Sequence, residues 1–353
     1  MLTLMSIAVQ SIVALVLESV VIAFHVIKVE AYSDWTTQNG VNSQIVLTHT
    51  LILVQVLFQV YIFYNAILLQ SFIEACSGIF FSFILLAATI VQSGQHAVLV
   101  EFESEYSNST QQAVKDAEKN RQLKHIHSVT QAVDYTLIAF LFGSLILNLY
   151  LTMRLRGEFK WNLYKRMGAD KNLRLLHRWF QLYVALLKIG FFSFLLFLVV
   201  LITMVTSKST NLRLVIGVVF LFLNIVVPIT TYRGLHREHK WTIYLNMAFA
   251  ASSVGWLIYK FSLMFPVPDP VSKQFQLMED EYAVSRYILS FWGALSMFIF
   301  LSQFFVGIFC LRNFGKGLRE TWQTGNKTSH LPKRGSDPRS NSESTLQSFT
   351  TEA

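Results

Sequence analysis

The sequence predicts an all-α polytopic membrane protein, a bundle of about eight spanning helices with both termini in the cytosol. Three observations predict it. Of the 353 residues, 53% are hydrophobic and only 14% charged, where a soluble domain carries about 25% charged residues; the mean hydropathy is +0.45. Apolar runs of about 18 residues or more, each enough to cross roughly 30 Å of hydrocarbon as a helix, recur along almost the whole chain. If these runs alternate across a membrane, Lys and Arg are twice as frequent on one side as on the other, and that side is the cytosolic one. The runs are too long for β-barrel strands, and helices satisfy every backbone amide within one segment.

The first run, 5–27, has no basic segment before it, exceeds the apolar core of a signal peptide and contains Glu18, so it reads as a retained helix. Cleavage there would leave seven helices, a receptor-like alternative. Runs two and three, 45–69 and 74–94, meet in a turn near Ser71 to Glu74. A polar segment with Glu101, Glu103 and Glu105 leads to run four, 133–153, and is the one connection long enough to hold structure of its own. It carries the sequon Asn108-Ser109-Thr110 on the lumenal or outer side, a candidate for glycosylation.

Between run four and run five, 179–206, lie Arg154, Arg156, Lys160, Lys165, Arg166, Lys171, Arg174 and Arg178, interleaved with Phe159, Trp161, Tyr164 and Trp179. This pattern suits a short helix in the headgroup layer whose cations face anionic lipids of the cytosolic leaflet. Gly168 ends that helix, and Asp170 can cap another beginning near Lys171. Run six, 212–232, leads through Arg233, Arg237 and Lys240 to run seven, 241–264, and run eight is 287–311. Residues 312–353 are basic and then rich in Ser, Thr, Asn, Gly and Pro, a cytosolic tail too polar to bury a core. Its sequon at Asn326 should stay bare.

Ionisable groups inside spans are costly, so they mark candidate functional positions. Lys188 lies one to two turns inside run five, where its ammonium can snorkel to the cytosolic surface or pair with an acid. Glu18, past the middle of run one, is the best candidate partner. Asp134 and Lys260 form a second possible pair near the opposite face. The polar residues His25, His49, Gln55, Gln59, Asn65, Asn148, Asn224 and Asn246 read as joints between helices, and Ala139 with Gly143 and Ala251 with Gly255 as close-packing points. Cys76 and Cys310, near cytosolic helix ends, are too few for a disulfide framework and are placed where S-palmitoylation occurs. The His236 to Lys240 and His125 to His127 clusters lack zinc-site spacing, and the chain has no Walker, G-x-S-x-G or G-x-G-x-x-G element, so neither a metal, a cofactor nor a catalytic set is expected. Cations that flank apolar spans speak for a lipid bilayer as the partner, not nucleic acid.

The segments YKRMGADKNLRLLHRWFQLYVALLKIGFFSF (164–194), TYRGLHREHKW (231–241), YKF (259–261) and CLRNFGKGLRE (310–320) resemble a fungal family of multi-pass Golgi apparatus membrane proteins. The resemblance covers most of the second half and, through helix layout, the first. It implies an endomembrane address and no activity. Ile189-Gly190 stands where the family pattern has an aromatic residue and an aspartate, so an acid adjacent to Lys188 is absent here. Three readings follow: a non-enzymatic endomembrane protein of trafficking or membrane organisation, a small-solute or proton-coupled transporter using Glu18 and Lys188, and a receptor-like protein.

Overall fold

Long apolar segments fold as helices wherever the backbone must satisfy its own hydrogen bonds. A computed structural model describes residues 2–31, 41–109, 117–167, 171–208, 211–265 and 286–314. They form α1 (Leu2–Ala31), α2 (Val41–Leu68), α3 (Phe72–Ser109), α4 (Ala117–Met167), α5 (Lys171–Lys208), α6 (Asn211–His236), α7 (Lys240–Met264) and α8 (Arg286–Asn313). Each contains a stretch long and apolar enough to cross a membrane, and each stretch overlaps one of the eight runs. The basic 154–167 segment departs from expectation: it continues α4 without a break from the span through Met167 rather than forming a separate helix. Likewise the polar segment before run four continues α3 to Ser109 and begins α4 at Ala117. The tail and the sequon at Asn326 lie outside the described residues.

The helices pack as two four-membered rings. In the first, α1 contacts α2, α2 contacts α3, α3 contacts α4, and α4 returns to α1; α5 to α8 close in the same cyclic order. Contacts of α3 with α5 and α8, and of α2 with α5, join the rings. The joint is aromatic: Phe58 of α2 stacks on Phe192 of α5 at 4.1 Å, and Phe81 of α3 meets both edge-on. Such pairs add about 0.5–1.5 kcal/mol each beyond the area they bury.

Corresponding turns of the two rings share one geometry. After α2, Gln70 takes φ 50, Ser71 N donates to Ala66 O and Gln70 N to Ile67 O; after α6, Glu238 takes φ 55, His239 N donates to Gly234 O and Glu238 N to Leu235 O. Both are Schellman turns with a non-glycine residue in the left-handed position. Ser71 also caps α3, its hydroxyl accepting from Glu74 N at 3.3 Å. Close helix approach uses other glycines than those expected. A Cβ at Gly143 or Gly255 would meet none of the described residues within 4 Å, whereas one at Gly190 would collide with Gln303 Nε2 and one at Gly293 would lie 2.9 Å from Phe261.

The interiors of the rings differ. The second ring is filled largely by Phe194, Phe197, Phe249, Trp256 and Phe300, with Phe194 edge-on to Phe249, Trp256 and Phe300. The first ring has a smaller apolar layer of Ala14, Ile52, Val56, Leu85, Leu86, Leu137 and Leu141. Polar side chains lie on both sides of it.

Candidate functional site

In the first ring, the polar layer nearer the basic end of the bundle links all four helices. Ser6 donates to Asn148 Oδ1 at 3.1 Å, and Asn148 Nδ2 donates to Gln10 Oε1 at 2.7 Å. Gln10 reaches Gln59 through a long 3.5 Å contact, and Gln59 Nε2 donates to Ser82 Oγ at 2.7 Å. These groups are uncharged and mutually satisfied, so their role is to hold the helices in register.

The second polar layer, beyond the apolar one, contains charge. Glu18 of α1 is 1% exposed and its Oε2 lies 2.7 Å from Nδ1 of His49 on α2, itself wholly buried. Gln92 of α3 places its amide nitrogen against the same Nδ1. A ring nitrogen offers one proton or one lone pair, so Nδ1 cannot serve both neighbours in one protonation state. With Nδ1 protonated it donates to the Glu18 carboxylate; with Nδ1 bare it accepts from Gln92. Asp134 on α4 and Gln95 on α3 are also buried, further along their helices from the basic end.

Lys188 does not pair with Glu18. Its Nζ lies 2.7 Å from Oε1 of Glu74, in the first turn of α3, and this pair bridges the two rings. Glu18 and Lys188 were matched on depth alone, but they belong to different rings. The lysine stem climbs toward the basic end, and the acid waits there at a helix N-terminus, where a carboxylate is also favoured by the helix dipole. Asp134 and Lys260 are both buried, on helices that pack mainly against other neighbours, and the Lys260 ammonium lies 5.6 Å from the Trp256 ring centroid.

Among the other expected positions, Arg154, Arg156, Lys160 and Arg178 are exposed and Arg174 is partly so; Arg156 also lies 5.5 Å from the Phe72 ring centroid. The side chains of Lys165, Arg166, Lys171 and Asn108 lie outside the described ones. Cys76 is exposed, while Cys310 is buried and points its thiol at Trp179 O. Among the described residues no group of three or more His, Cys, Asp or Glu is placed to hold a metal ion.

Two pairings, Lys188 with Glu74 and Glu18 with His49, are not in the sequence reading although signals for both exist. Ser71 and Glu74 have capping-box spacing, which puts Glu74 in the first turn of α3. His49 lies 19 residues before the end of α2 at Leu68, and Glu18 lies 16 after the start of α1 at Leu2, so depth counting from the basic end matches them.

The chain is similar to a UPF0658 Golgi apparatus membrane protein of Schizosaccharomyces pombe, 21% identical over 171 residues. That match covers 48% of this chain and 46% of the relative, so the similarity spans about half of each. No family model matches the chain, and no solved structure matches it.

Proposed function

We propose that the chain is a multi-pass membrane protein of the Golgi or a related endomembrane that binds and releases a proton inside its first ring, as a proton-coupled transporter does, and that it has no catalytic set. The observation that carries this reading is the buried Glu18, His49 and Gln92 centre. An ionisable pair at membrane depth costs several kcal/mol to bury, and such groups recur in proton relays. The second ring, of the same helix order, has an aromatic interior beside it. The address is supported by the description of the fission-yeast relative.

The test is proton movement into reconstituted vesicles under an imposed pH gradient, followed by an enclosed pH-sensitive dye. Glu18→Gln, which keeps shape and removes the titrating group, is expected to reduce uptake to that of protein-free vesicles. Uptake equal to that of the unaltered chain overturns the reading. A second reading, membrane organisation or trafficking, is favoured by the exposed Arg154, Arg156, Lys160, Arg178, Arg233, Arg237, Lys240 and Arg312 with Trp161 and Trp241 at the basic end. It predicts binding to anionic vesicles that falls with salt.

A further inference from the structure

Between the rings lies an interior cavity of about 10 Å³, room for about one water molecule. It is lined by Thr48, Ile52 and Gln55 of α2, Ala88 and Gln92 of α3, and Trp292 of α8, with Leu51 and Ile288 completing the wall. Gln55 is wholly buried, and among the described residues neither its Nε2 nor its Oε1 has a hydrogen-bond partner, nor does Gln92 Oε1. Unpaired amides are costly in such surroundings, and a polar cavity of this size with several facing groups is the setting in which a buried water is held.

We infer that this cavity binds one structural water, bridging Gln55 and the Gln92 carbonyl, and that the water sets the proton affinity of His49. This rests on the proton-binding reading above. The Gln55 Nε2 donates to the water, and the water donates to Gln92 Oε1. With its carbonyl so engaged, Gln92 keeps its amide N–H groups turned toward His49 Nδ1. A donor there disfavours a proton on Nδ1. Without the water, the Gln92 amide is released to turn its carbonyl toward the ring, where it accepts from Nδ1–H and favours the protonated imidazole. Gln55 is therefore a positioning residue that acts on the centre through the water and Gln92. Among the described residues, Glu18 on α1 faces His49 directly, and the other buried carboxyls of the ring are Asp134 on α4 and Glu74 on α3, the latter paired with Lys188 of α5. The cavity wall from α3 and α8 adds no charge, and Arg286 opens α8 without lining it. These charges are common to the unaltered chain and the variants below.

The test uses the full chain in vesicles with nitrogen-15-labelled histidine, following the His49 ring nitrogens against pH. Gln55→Leu removes the water's partner, and Ala88→Val fills the space while leaving both amides in place. Both are expected to raise the His49 midpoint by about one pH unit, a tenfold gain in proton affinity. An unchanged or lowered midpoint in a folded variant overturns the inference. Infrared spectra provide the second reading: a buried-water O–H band that shifts in oxygen-18 water should be present in the unaltered chain and absent from both variants. If His49 does not titrate at all, the proton-binding reading fails, and the water is judged by this band alone. Its absence from the unaltered chain overturns the site.

Discussion

Replacing Lys188 by Met isolates the ion pair that joins the rings. The ammonium lies 2.7 Å from Glu74 Oε1, the side chains are 16% and 3% exposed, and Glu74 Oε2 has no hydrogen-bond partner among the described residues. Met keeps the length and apolar stem of lysine, so packing is nearly conserved while the carboxylate loses its one counter-charge in the bridge. Breaking a fully buried pair costs about 3–5 kcal/mol. The partial exposure of Lys188 and the favourable dipole at the start of α3 reduce this to about 2–3 kcal/mol. Adding Glu74→Gln removes the stranded charge, so the double variant should recover to within about 1 kcal/mol of the unaltered chain. Reversible unfolding in mixed micelles, followed by tryptophan fluorescence, measures all four members of the cycle. A loss below about 0.5 kcal/mol for Lys188→Met, or no recovery in the double variant, would refute the bridge and leave Lys188 as a surface-seeking cation.

Three further outcomes follow from the packing. Gly190→Ala should destabilise by about 1–3 kcal/mol in the same unfolding assay, because its Cβ would displace the Gln303 amide that donates to Leu186 O. Gly255→Ala, at a position with nothing within 4 Å of the added atom, should change stability by less than about 0.5 kcal/mol. Glu238→Gly should stabilise by about 1 kcal/mol, since it relieves a left-handed backbone at φ 55; a loss of stability there would show that the Glu238 side chain contributes more than its backbone costs.

The helical class and the eight apolar helices were legible because run length and composition are properties of single segments. The start of α5 at Lys171 was legible for the same reason, from the glycine and aspartate before it. Helix partnership was not. The closure of α1 on α4 and of α5 on α8 depends on pairings across more than a hundred residues, which depth alone does not specify. Hence Glu18 and Lys188, both deep and opposite in charge, looked like partners, while each found an ion-pair partner on a contacting helix, His49 and Glu74. Small-residue spacing misled in the same way: Gly143 and Gly255 have it but lie open, and Gly190, which has no small residue four positions away on either side, carries the close approach of Gln303. The asymmetry between a polar first ring and an aromatic second ring is a property of assembled faces, visible only once the rings are closed.

In the proposed proton-binding centre, Glu18 and His49 hold a titratable proton between them at membrane depth. Isotope-edited infrared titration of the full chain in vesicles tests it most directly, by following the C=O band of protonated carboxyls across pH. A titrating carboxyl band is expected that disappears in Glu18→Gln and shifts its midpoint in His49→Gln. A carboxyl spectrum that is unchanged by Glu18→Gln at every pH would contradict it.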